Sequence, residues 1–412
     1  MNWQVSEFWR GWMQVGAWVI AGLWCLRAGN AIEHMPEVED LTAFEWDVEP
    51  RVQASLVVVV PARNEAESIA ATMDALMMAD YRAMKVVAVD DRSTDATGEI
   101  LDQYARRYAE RIEVIHIREL PEGWLGKTFA MMMALEHSAS DYVLFTDADV
   151  LHSPSILRRA LALAEREQAD HMVVMPTPLV QSRGEGIVLG FLQLLSLWAA
   201  RPWRVSDGKS RRDAIGVGAF NLVRREALEE IGGLSPQRLA VLEDMTLSFR
   251  MRAAGMRQRV AFAPGLVLVH WAKGMGGVVK VMTKNLFSGF NFNPLLLLGA
   301  CAWIVVFCLL PLAGLAWWGT LVPSLLVMCA VGASYRTLST WSRIDARYAW
   351  MYPVGAVVFL YALLRSMAAV WLKGGVVWRG THYGLKDLRR HNSPFQWELA
   401  AAEARQGKGW RQ

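Results

Sequence analysis

The sequence predicts an α/β domain with a mainly parallel sheet, held at a membrane by an N-terminal anchor and C-terminal transmembrane segments. Strand-like and helix-like stretches alternate from about Ser55 to His270. Such alternation builds parallel sheets, because each parallel pair needs a crossover, usually a helix. Clusters of charged residues stand where several of those strands end. Beyond Pro294 the chain turns into long apolar runs.

Composition narrows the function. Hydrophobic residues make up 53% of the 412-residue chain, above the roughly 45–50% of soluble domains. The net charge is only +3, with no basic arm. Nucleic-acid binding needs Lys and Arg clustered on one face, so no nucleic-acid partner is expected. Cys25, Cys301, Cys308 and Cys329 lie in apolar stretches at spacings that suit neither zinc nor a disulfide framework. They read as small buried hydrophobes.

Along the chain, residues 1–30 read as a membrane anchor. Their apolar run, 11–26, lies between Arg10 and Arg27. It is short against the roughly 20 residues of a spanning helix, but Trp9, Trp12 and Trp24 suit the interfaces. A secretory signal peptide is the rival reading, opposed by an almost uncharged start and a Trp-rich core. Residues 31–54 form an acidic linker, and 55–277 the α/β domain. Residues 56–60 are continuously apolar, as in a strand covered on both faces. Asn64 and Glu67 make a capping-box pattern for a helix over 66–78. Residues 85–90 form the second strand, and Ser93 or Asp95 caps a helix reaching Tyr108. Strands follow at 112–117, 141–146, 171–175 and 266–269. Ser153 and Pro154 start a helix over 155–168. The apolar stretch 187–200 suits either a core helix or one lying on the membrane.

Residues 278–293 mix apolar side chains with Lys280, Lys284 and Asn285, the pattern of an amphipathic helix in the interface plane. The region 294–372 holds three membrane segments, at 295–315, 321–338 and 353–371. A basic tail, 373–412, follows. Topology poses a conflict. Arg336, Arg343 and Arg347 make the loop before the last segment basic, and Lys373, Arg379, Lys386, Arg389 and Arg390 make the tail basic. Positive residues favour the cytoplasmic side, yet one span cannot leave both its ends there. Either the last segment is re-entrant, or one of the segments does not span.

Four clusters carry the chemistry. Pro61, Arg63 and Glu65 follow strand one. Asp90 and Asp91 follow strand two. Gly123-Trp-Leu-Gly-Lys127 opens a helix, and Asp147-Ala-Asp149 follows a later strand. Ligands bind beyond the carboxyl ends of parallel strands. Any one cluster alone would read as a solvated turn, but four in succession read as a site. Asp147 and Asp149 offer hard oxygen ligands for Mg²⁺ or Mn²⁺, which bind one or two carboxylates plus substrate phosphates. Lys127 and nearby backbone N–H groups suit the same phosphates. The carboxylates after strand two suit a nucleoside's base or ribose. Further on, Glu243 and Asp244 open a helical stretch where a carboxylate can take a proton from an acceptor hydroxyl. Being adjacent on a helix, they should point apart, with only one facing the reacting carbon. His270, after a strand, is either structural or a metal or phosphate contact.

With these motifs assembled, the chain from about 55 to 293 resembles the family 2 glycosyltransferases of the GT-A fold. The motifs stand in family order: 61–65, Asp90-Asp91, Asp147-Ala-Asp149, Gly216-Val-Gly-Ala-Phe-Asn221 and Glu243-Asp244. The resemblance implies a Rossmann-like catalytic domain and inverting transfer from a nucleoside-diphosphate sugar, usually UDP-linked, with a divalent metal. It implies that Asp91, with or without Asp90, contacts the base, that Asp149 binds the metal, and that Asp244 is the catalytic base. The N-terminal anchor, the segment 121–127 and the closing Val377-Trp-Arg-Gly-Thr-His-Tyr383 look like the hopene-associated glycosyltransferases of hopanoid biosynthesis, with His382 where relatives often carry Arg. That implies a lipid acceptor and a bacterial cytoplasmic membrane, with the catalytic domain facing the cytoplasm. Processive synthases carry a Gln/Arg-X-X-Arg-Trp motif where this chain reads Met282-Thr-Lys-Asn-Leu-Phe287, so a single transfer is expected. Two alternatives stand beside it: transfer to a polyprenyl phosphate, which needs no base, and a catalytically silent membrane scaffold.

Overall fold

The computed structural model describes residues 2–208, 213–378 and 381–391. They divide into an α/β unit (38–179, 202–270 and 373 onward) and a helical unit (up to 37, 180–201 and 271–372).

The strands of the α/β unit are β1 (Glu39–Asp40), β2 (Leu56–Ala62), β3 (Met84–Asp91), β4 (Ile112–Ile117), β5 (Tyr142–Phe145), β6 (Val150–His152), β7 (His171–Met175), β8 (Thr177–Pro178), β9 (Asn221–Arg224), β10 (Gln258–Phe262) and β11 (Val267–Val269). The main sheet has the order β1-β10-β7-β9-β5-β2-β3-β4, and a small sheet the order β6-β11-β8. The main sheet is parallel except at β9, which runs antiparallel to both β5 and β7.

Strand β2 is buried along its whole length, as its apolar run requires. Its side chains alternate between two cores. Val58 and Val60 pack with helices Ile69–Met77 and Ile156–Arg166, while Val57 and Val59 pack with helix Gly126–Glu136. Each such buried valine contributes about 1.5–3 kcal/mol.

The predicted strands form, but β1, β6, β8, β9 and β10 were not expected. Most are too short to show a period. The capping box at Asn64 and Glu67 does not form either. The helix begins at Ile69, without a side-chain cap. Asn64 is instead left-handed, with φ 55, and its Oδ1 accepts the Thr94 N–H at 2.8 Å. A competing turn partner outbids the helix terminus.

In the helical unit, four segments among the described residues are long and apolar enough to cross a membrane: Phe8–Glu37, Pro294–Gly314, Trp318–Ser342 and Ala346–Lys373. The first outruns its apolar stretch, because Ala28, Ala31 and Met35 beyond Arg27 are buried. The second contains a π-helical turn, Val305–Leu309, followed by Pro311. Proline has no N–H to give the carbonyl four residues back. That carbonyl, on Phe307, takes the Trp24 indole N–H at 2.9 Å instead. Cys301 and Cys308 are buried as expected, but Cys25 and Cys329 are exposed on the unit's surface; all four are free thiols.

The open stretch 187–200 is a helix, Arg183–Ala199, within this unit. A capping box starts it. The Glu185 N–H donates to Ser182 Oγ at 3.3 Å, and the Glu185 carboxylate accepts N–H groups from Gln181 and Gly274 at 2.7 and 2.6 Å. Ser182-x-x-Glu185 has the capping-box spacing. The helix is packed closely: a Cβ at Gly186 would overlap the Tyr348 ring.

Candidate active site

The loops after β2 and β3 form one rim. Asn64 N–H donates to Ser93 Oγ at 3.0 Å, Glu65 N–H to Thr97 Oγ1 at 2.8 Å, and Ala66 N–H to Asp95 Oδ2 at 3.2 Å. The Ser/Thr/Asp-rich sequence after β3 thus supplies acceptors for the backbone after β2. Glu65 itself accepts the Ser68 hydroxyl at 3.0 Å.

Asp90 and Asp91 part company, because neighbours on a strand face opposite sides. Asp90 accepts the Ser93 N–H at 3.1 Å and meets His116 Nδ1 at 3.1 Å, while His116 Nε2 meets Asp102 at 3.0 Å. Burial lowers the imidazole's proton affinity, but Asp102 and Asp90 prevail and raise it. Asp91 is 1% exposed. Arg92 Nε donates to it at 2.7 Å, and Arg63 stands 3.7 Å away. Its carboxylate lies against Gly126, where a Cβ would overlap Oδ2. Gly126 begins helix Gly126–Glu136, whose positive end suits a carboxylate.

Lys127 comes next in that helix. Its ammonium lies 2.6 Å from Asp147 Oδ1 and also pairs with Glu243. Burial would strip its proton, but Asp147, Glu243 and Asp244 outweigh burial and hold the amine above its ordinary range. Pro61, Lys127, Asp147, Gly218, Glu243 and Asp244 line one pocket. Glu243 and Asp244 therefore both line the pocket, Glu243 on Lys127 and Asp244 beside Gly218. They open helix Glu243–Ala253, and Lys127 draws Glu243 in. Burial raises the Asp244 carboxyl, against Lys127 and the N–H groups of Met245 and Gly218, which lower it.

Two glycines of the 216–221 motif have steric reasons. A Cβ at Gly216 would overlap the Asp244 carbonyl, and one at Gly218 would come within 2.6 Å of Asp147 Oδ2.

Asp149 is pushed up to about 7, first by burial and then by Asp147 and Glu65. Strand β11 pairs antiparallel with β6, with Val269 opposite Val150. Asp149 and His270 are the residues just beyond that last pair. Among the described residues no three His, Cys, Asp or Glu side chains are assembled to hold a metal by themselves. The residues suit a hard divalent cation whose shell substrate phosphates complete: Asp149 is a carboxyl whose charged form lacks a nearby cation strong enough to hold it.

The sequence left Arg92, Gly126 and Tyr383 without roles. Tyr383 donates its hydroxyl to the Trp124 carbonyl at 3.0 Å. Of the closing motif, Arg379 and Gly380 lie outside the described residues, as do the tail residues from 392.

Residues 57–232 match the family model described as Glycosyl transferase family 2. A 4,4'-diaponeurosporenoate glycosyltransferase of Staphylococcus haemolyticus is 22% identical over 280 residues, covering 67% of this chain and 72% of that protein. A beta-monoglucosyldiacylglycerol synthase of Synechocystis is 28% identical over 255 residues, covering 59% of this chain and 49% of that one. The chain thus spans only about half the length of the second. Among solved structures, the mannosyltransferase PcManGT from Pyrobaculum calidifontis, in complex with GDP-Man and Mn²⁺, is 18% identical. That match covers 88% of this chain and 97% of that one, with a TM-score of 0.52. The mainly parallel α/β unit has the GT-A fold.

Proposed function

From the premise that residues 57–232 are a family 2 glycosyltransferase segment, we propose that the protein moves one sugar, with inversion, from a nucleoside-diphosphate sugar to a hydroxyl of a membrane lipid. The observation that carries it is the single pocket in which Lys127 joins Asp147 to Glu243 beside Asp244. Asp91, with Arg63 and Arg92 around it, receives the nucleoside. Lys127 and the N-terminal amides of its helix hold the diphosphate. Asp244, with its raised proton affinity, takes the acceptor hydroxyl's proton as the oxygen bonds to the anomeric carbon and the bond to the diphosphate breaks. A bound Mg²⁺ or Mn²⁺, with Asp149 as its ligand and Asp147 and His270 beside it, would supply positive charge against the departing diphosphate.

A UDP-linked donor and a polyisoprenoid-derived acceptor, such as a hopanoid, complete the proposal. The relatives named for diaponeurosporenoate and diacylglycerol lipids support an apolar acceptor. A base at Asp244 favours a hydroxyl acceptor over a polyprenyl phosphate, whose nucleophile is already an anion. The 282–287 sequence, without the processive motif, supports a single transfer. Asp149→Asn should weaken Mn²⁺-dependent donor binding about tenfold or more, the usual scale for disturbing a metal site. Equilibrium binding with and without chelator checks this, and unchanged metal dependence contradicts it.

For the membrane, we propose cytoplasmic placement of the α/β unit in a bacterial cytoplasmic membrane, with one candidate span that does not cross. The chain leaves the α/β unit at 271 and rejoins it at 373, so it must cross an even number of times between. Three candidate spans lie there. Ala346–Lys373 is the one assigned in-plane, because Arg365 stands exposed at mid-helix with its Nη1 on Tyr361. An Arg at the centre of a span costs about 2.5–3.5 kcal/mol on insertion scales. Arg343, Arg347 and the basic tail then share the cytoplasmic side. In protein with its four cysteines changed to alanine, Arg343→Cys and Lys386→Cys should label from the same side. Labelling from opposite sides refutes the assignment.

A further inference from the structure

After the helical unit the chain rejoins the α/β unit as a hairpin, Gly375–Trp378 with Thr381–Gly384, and a short helix, Leu385–His391. Val376 pairs directly with Tyr383, and both are buried, as is Leu388. The base of the hairpin is tight: Leu385 N–H donates to the Gly374 carbonyl at 3.3 Å, and Gly374 has φ 64. A Cβ at Gly375 would overlap the Tyr383 carbonyl. The hairpin thus fixes Tyr383, whose hydroxyl donates to Trp124 at 3.0 Å.

Trp124 lies in the loop that delivers Lys127. On the far side of that loop, Leu125 N–H and Thr128 Oγ1 both donate to the Arg238 carbonyl, at 2.9 and 2.7 Å. At Gly123 the backbone turns through φ 82. The loop is therefore held at two points, one from Arg238 and one from Tyr383. Burial raises the Tyr383 phenol, against a side-chain hydrogen bond with Thr381 that lowers it. The charges of Arg92, Asp91 and Arg63, on the proposed nucleoside side of the site, also act on it.

We propose that Tyr383 is a positioning residue of the donor site: its hydrogen bond to Trp124 fixes the 123–127 loop, so that Lys127 and the helix amides meet the donor's diphosphate already in place. The C-terminal hairpin is then part of the donor site rather than a bystander. This rests on the donor reading above. A loop fixed beforehand saves the ordering that binding would otherwise require.

The test uses full-length protein in detergent, with UDP-sugars, GDP-sugars and Mn²⁺ as probes. Tyr383→Phe removes only the hydroxyl. One hydrogen bond is worth about 0.5–1.5 kcal/mol, so donor Kd and donor KM should rise about twofold to tenfold. At saturating donor, kcat should stay at wild-type level and acceptor KM should not move, while Tm falls by no more than the loss of this one buried hydroxyl explains. Nucleotide-sugar should also slow tryptic cleavage at Lys386 and Arg389 in wild type, and do so less in Tyr383→Phe. A lowered Tm with unchanged donor KM makes the contact merely structural and overturns the proposal, as does equal donor affinity in the two proteins. If wild type binds no nucleotide-sugar at all, the donor reading falls and this proposal with it.

Discussion

Asp244→Asn is expected to lower the transfer rate about 10²–10⁴-fold, the scale of a lost general base, while donor binding stays within about twofold of wild type, the usual limit for a substitution that removes no donor contact. Asp244 shares the pocket with Lys127 and Asp147. Its backbone carbonyl lies against Gly216, and its carboxylate takes N–H bonds from Met245 and Gly218. An amide fills the same space but takes no proton. Separate measurement of single-turnover transfer and nucleotide-sugar affinity distinguishes the outcomes. A variant that transfers at near wild-type rate removes Asp244 as the base and favours an acceptor that is already an anion.

Lys127→Met is expected to remove transfer and to destabilise the fold. Lys127 is the cation that Asp147, Glu243 and Asp244 share. Breaking a buried pair from one side costs about 3–5 kcal/mol, because the partner charge is left uncompensated. Glu243→Gln in the same chain should restore part of that stability, since it removes the more buried of the two carboxylates that Lys127 contacts and leaves Asp147 and Asp244 in place. It should not restore transfer, since the diphosphate still lacks its ammonium. Thermal melts and donor binding on the single and double variants check both halves. Stability unrestored by Glu243→Gln would mean that Lys127 acts through packing, and restored transfer would remove it from the donor site.

What was legible in the sequence follows from local physics. The continuous apolar run of β2 announced a strand buried on both faces, and the charged clusters announced strand ends. The opposite facing of Asp90 and Asp91 also follows from strand geometry, once the strand is placed. Strand β9 was not legible, since Asn221-Leu-Val-Arg224 is too short to show a period and its antiparallel sense is set by β5 and β7. Nor was the Lys127–Glu243 pair, because the two residues lie far apart in the chain and meet only through packing of their helices. Gly126 carried a signal that only the structure explains, namely the Asp91 carboxylate where its side chain would be. Tyr383 lay in a motif already singled out, but its partner Trp124 is more than half the chain away.

A labelled-donor screen on membranes containing the protein tests transfer of one sugar from a nucleoside-diphosphate donor to a lipid. UDP-, GDP- and TDP-sugars are supplied with Mg²⁺ or Mn²⁺ and total bacterial lipids, and label is followed into the lipid fraction. Label is expected from one donor, lost with chelator and with Asp244→Asn. No label from any donor, with nucleotide binding also absent, would contradict it and leave a silent membrane scaffold built on a transferase fold.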